Sequence, residues 1–90
     1  MRRIVGALTR LEKLYMRVAS APANARFEDV VHLAEAVGFV EVRSRGSHHL
    51  FRHIERPRLR LNLQQVNGKT KEYQVKDLLA TIEQEHLRRW

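Results

Sequence analysis

Apolar residues recur along this chain at two spacings, and the switches between them mark out the elements. Ile4, Leu8, Leu11, Tyr15 and Val18 return at steps of three and four, which predicts a basic amphipathic helix over residues 3–20, ending in "SAPAN". Such a helix can pack on the core, bind a partner or lie on an anionic surface. In "FEDVVHLAEAVGF", Val30, Leu33, Ala34 and Val37 share one stripe. Glu28 and Asp29 occupy its first turn, where the helix dipole favours negative charge, and Gly38 supplies a left-handed stop. His32 is off the stripe and belongs on the solvated face.

After Gly38 the period changes to two. "FVEVR" reads as a strand with Val40 and Val42 on one face and Glu41 and Arg43 on the other. "SRGS" is the turn, "HHLFRH" the returning strand, and "RLRLNLQ" a third strand with Leu59, Leu61 and Leu63 inward. "QVNGKTKEY" is polar, with a turn signal at Asn67 and Gly68. Val75, Leu78, Leu79 and Ile82 then return at helical spacing, predicting a last helix over residues 73–87 closed by the basic "HLRRW".

The core order is thus α-β-β-β-α in an α+β domain: a three-stranded antiparallel sheet with two helices on one face, plus an extra N-terminal helix. The other face stays wet. Glu41, Arg43, Arg60, Asn62 and Gln64 are expected to point into solvent there or onto a ligand. The organisation expected is a helical extension over 1–24 followed by one domain over 25–90.

Composition narrows what this domain can do. Ninety residues support one core and only a shallow site. Lys and Arg number 17 against 10 Asp and Glu, a net charge of +7, so the field attracts polyanions such as nucleic acid or an acidic protein. There is no cysteine, which excludes a disulfide framework and thiolate chemistry and suits a reducing cytoplasm. Thr9, Arg10, Glu12 and Lys13 break the first apolar run, so neither an export signal nor a membrane span is expected.

The densest chemistry lies in "RSRGSHHLFRH", residues 43–53. Strand alternation puts Ser47, His49, Phe51 and His53 on one face and His48, Leu50 and Arg52 on the other. Each face carries one large apolar residue, so the period does not say which is buried. His49 and His53 would offer a metal two ligands without a convergent third, so no metal or other cofactor is expected. A neutral imidazole could instead take the proton from an RNA 2′-hydroxyl, which then attacks its own phosphate, while Arg43, Arg45 and Arg52 hold that phosphate. Passive phosphate binding is the simpler alternative from spacing alone, with His48 or His53 serving the fold.

"LAEAVGFVEVRSRGSHHLFRH" resembles the central motif of HicA-type toxins, small RNA-cleaving mRNA interferases of bacterial toxin and antitoxin pairs. In that motif a helix ending in Gly-Phe leads into a strand and then a Gly-Ser-x-His turn. "LNLQQVNGKTKEYQVKDLLATIEQ" is similar to the closing segment of one branch, so the resemblance spans residues 27–84. It implies a fold like the double-stranded-RNA-binding domain, His49 as the catalytic histidine, Gly46 and Ser47 as the motif turn, and His48 as a weaker catalytic candidate. Arg43, Arg45, Arg52 and His53 are the expected RNA contacts. It also implies a metal-independent endoribonuclease, blocked by a HicB-like antitoxin whose acidic surface would complement the positive charge. The alternative is a non-catalytic RNA-binding or protein-interaction module of the same fold. Two departures stand out: residues 1–24 extend beyond the shortest members, and "LQQVNGK" replaces the proline and histidine many carry after the third strand.

Overall fold

The computed structural model describes residues 8–90; Ile4 and the start of the predicted first helix lie outside the described residues. The described part of that helix, α1, spans Arg10–Ser20 and begins at a capping box. The Glu12 amide donates to Thr9 Oγ1 (3.0 Å), and the Thr9 amide donates to Glu12 Oε1 (2.9 Å). α1 sinks Val18 into the core and lays Leu14 and Tyr15 against it. A 3-10 turn, Pro22–Asn24, leads into α2, Phe27–Ala36. Its Val30, Leu33 and Ala34, followed by Val37, are buried on the predicted stripe, and His32 is exposed.

Four strands follow: β1 (Phe39–Arg45), β2 (His48–His53), β3 (Arg60–Val66) and β4 (Lys69–Thr70). They form one antiparallel sheet in chain order, so the predicted three strands become four. Asn67 at φ +52 and Gly68 at φ +78 make the tight turn that folds Lys69 and Thr70 back against Val66 and Gln65. A two-residue strand has no period to read.

The last helix, α3, spans Glu72–Gln84 and stops before the predicted residue 87. His86 adopts φ +55, and the Leu87 amide donates 2.9 Å to the Ile82 carbonyl. This is a Schellman-type close with a histidine where glycine is usual, and Leu87 is buried beneath it. Phe39, Phe51, Leu61 and Leu63 of the sheet pack with Leu33 of α2 and with Val75, Leu78 and Ile82 of α3 in one cluster. Buried Gln74 ties α3 to β3, its Oε1 accepting from the Gln64 amide at 2.6 Å.

The α2–β1 junction explains Gly38 and His53 together. Gly38 sits at φ +108, and a Cβ there would lie 2.5 Å from His53 Nε2. His53 is only 1% exposed. Its Nε2 lies 2.8 Å from the Val37 carbonyl, while Nδ1 accepts from the amides of Glu55 (3.1 Å) and Arg56 (3.2 Å). That pattern requires the proton on Nε2. The ring also meets Phe39 edge-on at 5.1 Å.

Outside the sheet, α1 meets the tail in a clasp. Tyr15 OH donates to Glu83 Oε2 at 2.9 Å, and Arg88 Nε donates to the same oxygen at 2.9 Å. The Arg88 guanidinium lies 4.7 Å from the Tyr15 ring centroid, and Trp90 lies 5.2 Å from that centroid on a tilted plane. The Arg88 hydrogen bond, then the Tyr15 hydroxyl, hold the Glu83 carboxyl below its ordinary range. Burial, then Glu83, raise the Tyr15 hydroxyl.

Two outcomes follow from these contacts. His53→Ala leaves a buried carbonyl and two amides without partners and should cost roughly 2–5 kcal/mol in denaturant unfolding. Because the folded carboxyl of Glu83 is depressed, its contribution is complete above the unfolded carboxylate value of about 4.3 and is lost as pH falls through the lower folded value. Acid titration should therefore change the fluorescence of Trp90, the single tryptophan, below about pH 4, and Glu83→Gln should remove that transition.

Candidate functional site

The β1–β2 hairpin carries the site. Arg45 pairs with His48, so Gly46 and Ser47 form a two-residue turn. Gly46 has φ +58, a conformation that suits glycine at the first central position of a hairpin turn, and its open side faces no other atom within 4 Å. The Ser47 carbonyl accepts from the Gln65 amide at 2.9 Å, fastening the turn to β3.

The pleat divides the predicted site residues between two faces. Phe51 and His53 are buried beneath the helices, so His49, two residues earlier in β2, looks toward the helix side. Ser44 is its direct cross-strand neighbour on β1, and Leu63 its neighbour on β3. The opposite, uncovered face is built in rows: Arg45, His48 and Gln64; Arg43, Leu50 and Asn62; Val40, Arg52 and Arg60. Arg43, Arg45, Arg52 and Arg60 are all exposed and have no ion-pair partner among the described residues. His48 joins these arginines, away from His49.

Simple alternation does not survive in β1. Glu41 pairs with Phe51 and Arg43 with Leu50, leaving Val42 as the extra residue of a β-bulge. Glu41 and Arg43, expected on one face, therefore point to opposite faces. Val40 and Val42 are both solvent-exposed, at 43% and 45%.

His49 stands in a partly sheltered niche, its side chain 21% exposed. Its Nδ1 lies 3.2 Å from Glu41 Oε2. The ring of Phe27, the first residue of α2, lies 4.9 Å away at an interplanar angle of 50°. Phe27 is held there because its amide donates to the Gly68 carbonyl at 2.9 Å, tying the start of α2 to the β3–β4 turn. Nε2 has no protein partner among the described residues. An imidazole so held can accept or donate one proton.

His53 does not belong with these groups. It was expected to touch RNA, but both ring nitrogens are spent on backbone inside the core. Four residues along the same face of β2, one histidine serves the fold while the other meets solvent. With both of its nitrogens so engaged, His53 offers no free ligand beside His49. The sequence reading missed Glu41 and Phe27 as neighbours of His49. For Phe27 the available signal was an aromatic ring at the start of a helix that feeds the hairpin.

The described residues thus form a small basic domain with a half-sheltered histidine, His49, close to a tight hairpin turn. A family model described as HicA toxin of bacterial toxin-antitoxin matches residues 27–84, from the Phe27 ring against His49 to the end of α3. The chain belongs to the HicA toxin family. No match was found among curated proteins or solved structures. α1 and the tail that clasps it lie outside the matched span. No described helix is long and apolar enough to cross a membrane.

Proposed function

We propose that the protein is the toxin of a type II pair: a cytoplasmic, metal-independent endoribonuclease that cleaves mRNA through His49 and is silenced by a HicB-like antitoxin. The observation that carries this reading is His49 itself, with one ring nitrogen engaged and the other without a protein partner, in a basic domain of a toxin family. The working domain is residues 25–90, of double-stranded-RNA-binding type, and residues 1–24 are an extension that includes α1.

In the proposed reaction Nε2 of neutral His49 accepts the 2′-hydroxyl proton as the 2′-oxygen attacks the adjacent phosphorus. The bond from phosphorus to the 5′-oxygen breaks, that oxygen takes a proton from solvent water, and the His49 imidazolium returns its proton to the hydroxide so formed, leaving a 2′,3′-cyclic phosphate and a 5′-hydroxyl. No cofactor enters the balance. The arginines take a different part from the one expected of them. Arg43, Arg45 and Arg52 lie across the sheet from His49, so they hold phosphates flanking the scissile one, on a strand that passes over the Gly46–Ser47 turn. His48, beside Arg45, joins that contact. The same cationic face would also take the acidic surface of an antitoxin.

The decisive comparison is cleavage of a labelled single-stranded RNA, in excess chelator, by the wild type and by His49→Ala. The variant should keep its fold and RNA affinity and lose about 10²- to 10⁴-fold in rate. Equal cleavage by the two would remove His49 from the chemistry, and an inert wild type that still binds RNA would favour the binding-module alternative. In the Arg43→Ala, Arg45→Ala, Arg52→Ala triple variant, the salt dependence of RNA binding should flatten by about 2 in log-log slope, with cleavage at saturating RNA nearly unchanged.

A further inference from the structure

We propose that Glu41 is a positioning residue for His49, and that the bulge at Val42 exists to deliver it. This rests on the reading of His49 as the proton-transferring group. Starting from the Gly46–Ser47 turn, unbroken pairing would set Val42 opposite Phe51 and Glu41 opposite Arg52, on the uncovered face. The extra residue in β1 instead sets Glu41 opposite Phe51. Phe51 and His49 are two apart on one face of β2, so Glu41 becomes the diagonal neighbour of His49, within reach of a long side chain. The Nδ1 to Oε2 distance of 3.2 Å is the result. Bulges beside functional sites re-aim side chains in this way.

The company this carboxylate keeps is the second observation. Glu28, Asp29, Glu55, Glu72, Glu83 and Glu85 each pair with an arginine or a lysine. Glu41, in the same strongly basic chain, takes an imidazole as its partner.

A carboxylate can only accept, so the neutral ring must carry its proton on Nδ1 and present the Nε2 lone pair outward. Once Nε2 has taken the substrate proton, the same carboxylate faces an imidazolium and steadies it. The Phe27 ring, tilted against the other side of the niche, fixes the ring plane. Tautomer, aim and charge compensation thus come from one side chain, which touches no substrate itself.

The test combines nitrogen NMR of the His49 ring with single-turnover cleavage in full-length wild type, Glu41→Gln and Glu41→Ala. Glu41 lies exposed on an edge strand, and Gln keeps its shape, so the amide spectra should overlay. The wild type should show the proton on Nδ1. In Glu41→Ala the ring should populate both tautomers, and cleavage should fall about 10²-fold at unchanged RNA affinity. Glu41→Gln, whose carbonyl can still accept from Nδ1, should keep the tautomer and recover part of the rate. An unaltered tautomer together with wild-type cleavage in Glu41→Ala would overturn the proposal. If the wild type cleaves no RNA, the nuclease reading fails by itself, and the ring nitrogen shifts alone then decide whether Glu41 positions His49.

Discussion

The tie between His53 and the backbone around it is the constraint on which the rest of this structure depends. One imidazole bonds the last turn of α2 through Val37 and the chain leaving β2 through Glu55 and Arg56. It does so against a glycine that leaves no room for anything larger. Helix and hairpin are thereby joined at one end, and the face of β2 that looks toward the helices is settled for its whole length. His49 inherits its orientation from that choice, because a strand that buries His53 and Phe51 has to turn His49 the same way.

The pleat then separates two kinds of polar group. The His49 imidazole stands on the helix side, next to an aromatic ring and a carboxylate, while the exposed guanidinium groups and His48 line the uncovered side. A sheet is a thin partition, and the Gly46–Ser47 turn is its rim. The bulge at Val42 is what allows Glu41 and Arg43, so close in sequence, to stand on different sides of it.

Periodicity made much of this legible in the sequence. The stripe of Val30, Leu33, Ala34 and Val37, the alternation of Leu61 and Leu63, and the helical return of Val75, Leu78 and Ile82 were read as they occur, because each reflects burial on one face. The Gly46 turn was legible because a positive φ selects glycine there. What escaped had no periodic signature. β4 is too short, the bulge inserts a single residue without changing composition, and His86 closes α3 in a backbone region where glycine would have announced it. The division of labour between His49 and His53 was hidden for another reason. Both lie on the same face, and only the loop that returns over His53 tells them apart.

The clasp of Tyr15, Glu83, Arg88 and Trp90 carries a consequence for how the molecule is assembled from its parts. Apart from Glu83, its members come from the two segments that flank the family-matched span, which meet through Tyr15, Arg88 and Trp90 while Val18 and Leu87 anchor them in the core. They fit as the two halves of a buckle, with Tyr15 on one and Trp90 on the other. The two flanks are therefore one structural unit written in two places, joined across Glu83 of α3.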